Sequence, residues 1–195
     1  MRRTALLWLA ALLFAAAAGR DAADRWVAAT VLPPLTPETS VEMRAEDGTL
    51  LRAFTVADGR WRLAPGEGDA RFLDMLLAYE DKRFFNHAGV DPLALLRAVG
   101  QAAANGRIVS GGSTLTMQVA RLLEDSGTGT WPGKLRQMRV ALALERRLSK
   151  DEILRLYLTL APYGGNLEGL RAASRAWFGK APRRLTPAEA ALLVA

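Results

Sequence analysis

The chain has 195 residues, with 26 Lys and Arg against 20 Asp and Glu, a formal charge of +6, and 50% hydrophobic residues. That length suits one domain with a short appendage, and the composition excludes a disordered, core-poor chain. With no cysteine and a single histidine, His87, it also excludes disulfides, thiolate catalysis and Cys- or His-rich metal centres. A pI near 10.3 points to an anionic partner, whether nucleic acid, a phosphorylated substrate or an anionic lipid surface, without choosing among them.

Arg2 and Arg3 precede an apolar run from Ala5 to Ala18, and the next charge is Arg20. The run is short of the roughly 20 residues of a bilayer span. It fits either a signal peptide cleaved at the small residues Ala16 to Gly19 or an uncleaved anchor extended by its flanks. The arginine pair predicts a cytoplasmic start, with the remainder outside the cytoplasm. Residues 1–29 are therefore expected to form a signal anchor and juxtamembrane segment, an N-terminal transmembrane helix. Residues 30–39 (TVLPPLTPET) read as an extended, Pro-rich linker.

Next comes a short β region. Val41 to Arg44 and Leu51 to Val56 alternate apolar with polar around Asp47-Gly48, a hairpin signal. Asp58-Gly59 then leads into Arg60-Trp61-Arg62-Leu63, so the spacing predicts a hairpin or a three-stranded flap. Everything after residue 68 reads as helical. Asp91-Pro92 starts a helix that Asn105-Gly106 stops, Ser149 with Glu152 forms a capping box, and Thr186 with Glu189 repeats it. That last helix reaches Ala195 without a stop signal, and the expectation is a domain over 40–195 cut short of its C-terminal end. Residues 125–133 (DSGTGTWPG) are a polar break and a candidate mobile loop.

Three clusters carry candidate chemistry. The first, Glu80 to Asp91, follows an apolar helical run that delivers Glu80 and Asp81 at a helix end, beside Phe84 and Phe85. A carboxylate there is a candidate general acid or base, or else a solvated helix terminus. In the second, Gly111-Gly112-Ser113-Thr114, two glycines precede what reads as a Ser113-capped helix, baring backbone N–H groups suited to an anion. Gln118 adds an amide for a sugar hydroxyl or an oxyanion. The third is basic: Lys134, Arg136 and Arg139, placed to converge on a phosphate-bearing ligand, then Arg146, Arg147 and Lys150. No Walker loop, dinucleotide fingerprint or serine-hydrolase elbow is present.

In combination the segments are more specific. Glu80-Asp81-x-x-Phe84-x-x-His87-x-Gly89-x-Asp91 resembles the first signature of the peptidoglycan glycosyltransferases (glycosyltransferase family 51), the polymerising domains of class A penicillin-binding proteins. Gly111-Gly112-Ser113-Thr114-x-Thr116-x-Gln118 resembles the second, and Ser149-Lys150-x-Glu152-Ile153-Leu154-x-x-Tyr157-Leu158 a later one. Leu167-Glu168-Gly169 and Trp177-Phe178-Gly179-Lys180 also fit. Met117 and Ala161 to Gly165 resemble the penicillin-binding protein 1C branch.

The resemblance implies a mainly α, lysozyme-like domain with a small N-terminal β flap, at the outer, periplasmic face of the inner membrane and held there by one span. Its substrates would be lipid II and the nascent glycan strand, with a C-terminal transpeptidase domain as a further partner and no nucleic acid. Glu80 matches the general base. Arg83, Lys134 and Arg136 match positions contacting diphosphate or sugar, and Ser113, Thr114 and Gln118 match substrate-holding residues of the second signature. Asp81, His87, Gln137 and Glu168 complete the expected substrate-binding set.

Two positions depart from the pattern. Gln137 stands where most members carry a second glutamate, and Thr159 stands where an asparagine is usual. A neutral amide holds a divalent metal less well than a carboxylate. No cofactor is expected to be required, with magnesium or manganese on the substrate diphosphate left open. Two other functions share the pattern: a lytic or hydrolytic lysozyme-like enzyme, and a non-catalytic lipid II-binding module.

Overall fold

The computed structural model describes residues 2–66, 70–105, 111–124 and 130–195. Gly106 and residues 125–129, on which a helix stop and most of the candidate loop were read, lie outside the described residues. The first helix, α1 (Arg2–Ala28), continues well past the apolar run because nothing before Pro33 breaks it. Thr4–Ala28, 25 residues, is long and apolar enough to cross a membrane. At 1.5 Å per residue it measures about 37 Å against a hydrocarbon core of about 30 Å.

Strands β1 (Glu42–Arg44) and β2 (Leu50–Ala53) form the antiparallel hairpin read from the sequence, with a bulge between Met43 and Arg44. Gly48 turns it at φ +81°, and the Asp47 carboxylate accepts from the Thr49 N–H at 2.8 Å. The third strand does not join them. β3 (Trp61–Arg62) pairs in parallel with β4 (Leu167–Glu168) from the far end of the chain. Arg62 holds it there: its Nε donates to Glu168 at 2.7 Å, and its Nη1 donates to the Glu38 carbonyl at 3.0 Å. Of the two expectations, a hairpin or a three-stranded flap, the structure has the hairpin, beside a separate two-stranded pair.

The rest is helical: α2 (Ala70–Glu80), a 3-10 turn at Phe84–Asn86, α3 (Pro92–Asn105), α4 (Leu115–Glu124), α5 (Trp131–Glu145), α6 (Lys150–Leu160), α7 (Leu170–Phe178) and α8 (Pro187–Val194). α4 is the central element. Leu115, Thr116, Met117, Val119 and Ala120 are all buried, and α5 and α6 pack against it. Phe72 and Leu76 of α2, Val140 and Leu144 of α5, and Ile153 of α6 close the core around it. A helix buried nearly all round must satisfy its polar side chains internally. The Thr116 hydroxyl accordingly donates to Glu145, and the Gln118 amide donates to Glu80, both at 2.7 Å.

The capping signals are realised. Asp91 accepts from the N–H groups of Leu93 and Ala94, and Ser149 with Glu152 and Thr186 with Glu189 form complete capping boxes. α5 starts at Trp131, inside the expected loop, because Thr130 accepts from the Gly133 N–H and Pro132 lacks the N–H that a first turn leaves unpaired. In α8, Lys180 pairs with Glu189 at 2.6 Å and, with the capping bonds, holds that carboxyl down to about 2 from an ordinary 4.5. A depressed carboxylate stabilises the fold above its unfolded value and loses that contribution as the pH falls through the folded one. Thermal unfolding followed from pH 7 to pH 2 should show native protein more stable than Glu189→Gln at neutral pH. The gap should close between about pH 4.5 and 2.

Candidate active site

Asp81, the first residue after α2, is buried and turns inward. Its Oδ2 accepts from the Leu115 N–H at the start of α4 at 2.9 Å and lies 3.0 Å from His87 Nε2. His87 Nδ1 accepts from the Gly89 N–H, so the ring proton sits on Nε2 and is donated to Asp81. The Thr114 hydroxyl donates to the Gly89 carbonyl and accepts from the Met117 N–H. Gly89 has φ +91°, and a Cβ there would stand 2.7 Å from the Ala141 carbonyl oxygen, so the turn crosses α5 where only glycine fits. Lys150 completes the frame: its Nζ donates to the His87 carbonyl and to Glu145, each at 2.6 Å, and lies 4.5 Å from the Phe84 ring centroid.

This frame aims Glu80. The half-buried carboxylate ends α2 beside Asp81 and accepts from Gln118 Nε2 on Oε2. Tyr79 to Arg83, Asp91, Ala94, Arg97, Gly111, Ser113 and Thr114 line a cleft of about 330 Å³ at this point. Lys134 of α5 reaches its edge, donating to the Ser113 hydroxyl. Burial, and then the charge of Arg121, hold the Lys134 ammonium below the ordinary lysine range. Neither cation has a carboxylate partner among the described residues. Tyr157 is pushed up to about 12 by burial and the Glu80 charge, and Tyr163 is raised by burial, Tyr157 and Glu80. Both phenols therefore remain neutral beside the carboxylate.

The structure brings Glu80, Gln118, Ser113, Lys134 and Arg83 to one region; Arg83 lies in the cleft wall, its Nε 3.4 Å from Asp91. It separates the basic cluster, because side chains two residues apart on a helix point roughly 200° apart. Arg136 faces outward in a bidentate pair with Glu124, and Arg139 turns to α1. The helix cap is Thr114 rather than Ser113, which leaves the Ser113 hydroxyl free for Lys134. The expected anion seat at α4 is filled by Asp81 itself. Asp81, His87 and Thr114 are buried with their hydrogen bonds engaged inside the protein. Gln137 is buried on α5, and Glu168 is tied to Arg62 and Arg60 between β3 and β4. The sequence reading missed Arg121, although its place one turn after Gln118 on the same helix face was a usable signal. It also missed the tyrosine pair, which only the tertiary fold brings to Glu80.

A profile of the transglycosylase family matches residues 52–195. The chain belongs to the transglycosylase family. It is similar to penicillin-binding protein 1C of Escherichia coli, at 52% identity over 151 residues covering 76% of this chain and 20% of that protein. It is also similar to penicillin-binding protein 1A of Pseudomonas aeruginosa, at 36% identity over 156 residues, 78% of this chain and 18% of that protein. Penicillin-binding protein 1A of Aquifex aeolicus is 38% identical over 123 residues, 63% of this chain and 17% of that protein. The chain thus spans about a fifth of the length of the curated relatives it matches. The mainly helical, lysozyme-like fold implied by the sequence motifs is the fold of this transglycosylase domain.

Among the described residues no three Asp, Glu or His side chains converge as ligands for a resident divalent ion. Gln137 brings only a neutral amide, and Asp81 is committed to His87 and Leu115. The frame's dependence on Asp81 has a direct test. Asp81→Asn would set an amide N–H₂ against the His87 Nε2–H, donor facing donor. Denaturant unfolding should show a loss of about 1–3 kcal/mol through a lower midpoint at unchanged slope.

Proposed function

We propose that the domain polymerises lipid II into β-1,4-linked glycan strands for peptidoglycan synthesis at the outer face of the inner membrane. Transfer proceeds with inversion and releases undecaprenyl diphosphate. The observation that carries this reading is the pairing of one aimed carboxylate with two cations that have no carboxylate partner among the described residues. Glu80 is held by Gln118, and Lys134 and Arg121 stand close enough to repel each other.

Glu80 takes the proton of the acceptor 4-hydroxyl as its oxygen attacks the donor's anomeric carbon. The carbon–oxygen bond to the diphosphate breaks as the new glycosidic bond forms. The bonding pair leaves with the diphosphate, and the proton stays on Glu80. Gln118 fixes one carboxylate oxygen, which leaves Oε1 for the hydroxyl. Charge grows on the departing oxygen in the transition state, where fixed cations are most effective in a site from which water is excluded. Lys134 and Arg121 supply that charge, with Arg83 in the cleft wall. Ser113 holds Lys134 in position. In this reading Asp81, His87, Thr114 and Glu168 position the site rather than contact the substrate, and Arg136 contributes through Glu124.

Glycan cleavage would need a carboxylate but no clamp for a departing diphosphate, so the cation pair favours transfer. Elongation of lipid II, against shortening of a preformed strand, separates the two in a product-length assay. Glu80→Gln should lower polymerisation by roughly 10²- to 10⁴-fold while binding of lipid II persists. Near-normal polymer from a folded Glu80→Gln protein would overturn Glu80 as the base, whereas lipid II binding with no polymer from the native chain would leave a binding module.

The fixed cations also predict weak metal dependence. Turnover measured across a chelator and magnesium series should be nearly flat for the native chain and rise with magnesium for Gln137→Glu. Strong dependence in the native chain, unchanged by Gln137→Glu, would contradict this.

A further inference from the structure

The outer face of α5 carries two arginines that the proposed chemistry does not use. Arg139 and Arg146 are two turns apart and so lie on one face. Both reach α1. Arg139 Nε donates to the Trp26 carbonyl and to the Thr30 hydroxyl, each at 2.9 Å, and its guanidinium lies 4.9 Å from the Trp26 ring centroid. Arg146 pairs with the Asp24 carboxylate at 2.5 Å and donates to the Asp24 carbonyl at 3.2 Å. Val27 between them is buried, at 4% exposure, whereas Thr4 to Trp26 and Ala28 are exposed.

The Trp26 carbonyl is one that the helix itself does not satisfy, because the Thr30 N–H donates to Val27 instead. A guanidinium there supplies the missing donor and a cation at the negative end of the helix. Two such clamps, a buried valine and a ring stacked under a cation fix the angle between α1 and α5 as well as their contact.

The clamps sit where α1 leaves its apolar stretch. Arg20, Asp21, Asp24 and Arg25 are charged, and Trp26 is the kind of side chain that settles at a bilayer surface. Along α5, Lys134 is five residues from Arg139, about 8 Å of helix rise. The diphosphate of a membrane-borne donor lies at the same headgroup level.

We infer that Arg139 and Arg146 are positioning residues that brace the membrane helix against α5. They thereby set the height of Lys134 and Ser113 above the bilayer for a lipid-linked donor. The inference rests on the function proposed above, since height matters only to a substrate held in the membrane. A solution substrate would find the same site whatever the angle of α1.

The test uses the full chain in phosphatidylethanolamine–phosphatidylglycerol nanodiscs, with lipid II of natural polyprenyl length and a short-chain, water-soluble analogue. For Arg139→Ala with Arg146→Ala, turnover of the bilayer-borne donor should fall roughly tenfold or more, while that of the soluble analogue stays within about twofold of native. Reversing the Asp24 pair, with Asp24→Arg and Arg146→Asp together, should restore most of the loss caused by Arg146→Asp alone. The chain has no native cysteine, so nitroxides at Ala18→Cys and Arg147→Cys report the α1–α5 geometry without regard to activity. Their distance distribution should be narrow in the native background and broad in the double alanine variant.

Equal losses on both substrates, no loss on either, or an unchanged distance distribution would overturn the brace. A native chain inactive on both substrates would overturn the proposed function instead, and the distance measurement would still decide whether the brace exists.

Discussion

One buried carboxylate sets the register of the whole site. Burying the Asp81 charge costs several kcal/mol unless donors meet it. Here the Leu115 N–H, at the positive end of the central helix, and the His87 Nε2–H both do. Asp81 adjoins Glu80, so holding one side chain inward turns the other out toward the cleft. Gln118, three residues beyond Leu115 on α4, is then on the face that meets Glu80. Two neighbouring residues at the end of α2 are thus fixed by two points on one helix. A change in the angle between α2 and α4 would have to break both bonds.

The same frame explains why segments far apart in sequence act together. The turn over 84–91 is held on one side by Thr114 through the Gly89 carbonyl and on the other by Lys150 through the His87 carbonyl. Lys150 also meets Glu145, which accepts from Thr116 of the central helix. The three family signatures are therefore one hydrogen-bonded unit built around α4. Glu80, Asp81, Asp91, Ser113 and Thr114 of these signatures line the cleft, and His87, Thr116, Gln118 and Lys150 hold them in place.

What the sequence made legible was local. Capping boxes and an Asp-Pro start lie within four residues, so Ser149, Thr186 and Asp91 could be read directly, as could Glu80 at the end of an apolar helical run. The pairing of β3 with β4 could not be read, because it depends on Arg62 meeting Glu168 across more than a hundred residues. The capping residue at α4 was ambiguous between two adjacent hydroxyls. Only the Gly89 carbonyl, supplied by a different segment, selects Thr114 and releases Ser113. The basic cluster was misread for want of a helix phase: on α5, Arg136 and Arg139 share a side turned away from Lys134, and Glu124 and α1 then draw those two apart.

That division of the arginines also changes how the net charge of +6 should be understood. Arg62 and Arg60 are neutralised by Glu168 together with Asp58, Arg171 by Glu42, Arg136 by Glu124 and Arg146 by Asp24. Arg139 stacks on Trp26 and caps α1. These cations hold elements together, and the opposite charge beside each cancels most of its field beyond a Debye length of about 8 Å. Lys134 and Arg121 are different, because neither has a carboxylate partner among the described residues and the charge of Arg121, after burial, lowers Lys134. Two like charges kept together by the fold cost stability, and an anion arriving between them recovers that cost on binding. A high pI alone would leave nucleic acid, lipid and diphosphate equally acceptable. A cation pair without a carboxylate partner among the described residues, beside a single aimed carboxylate, favours a small, concentrated negative charge that appears next to the reacting carbon.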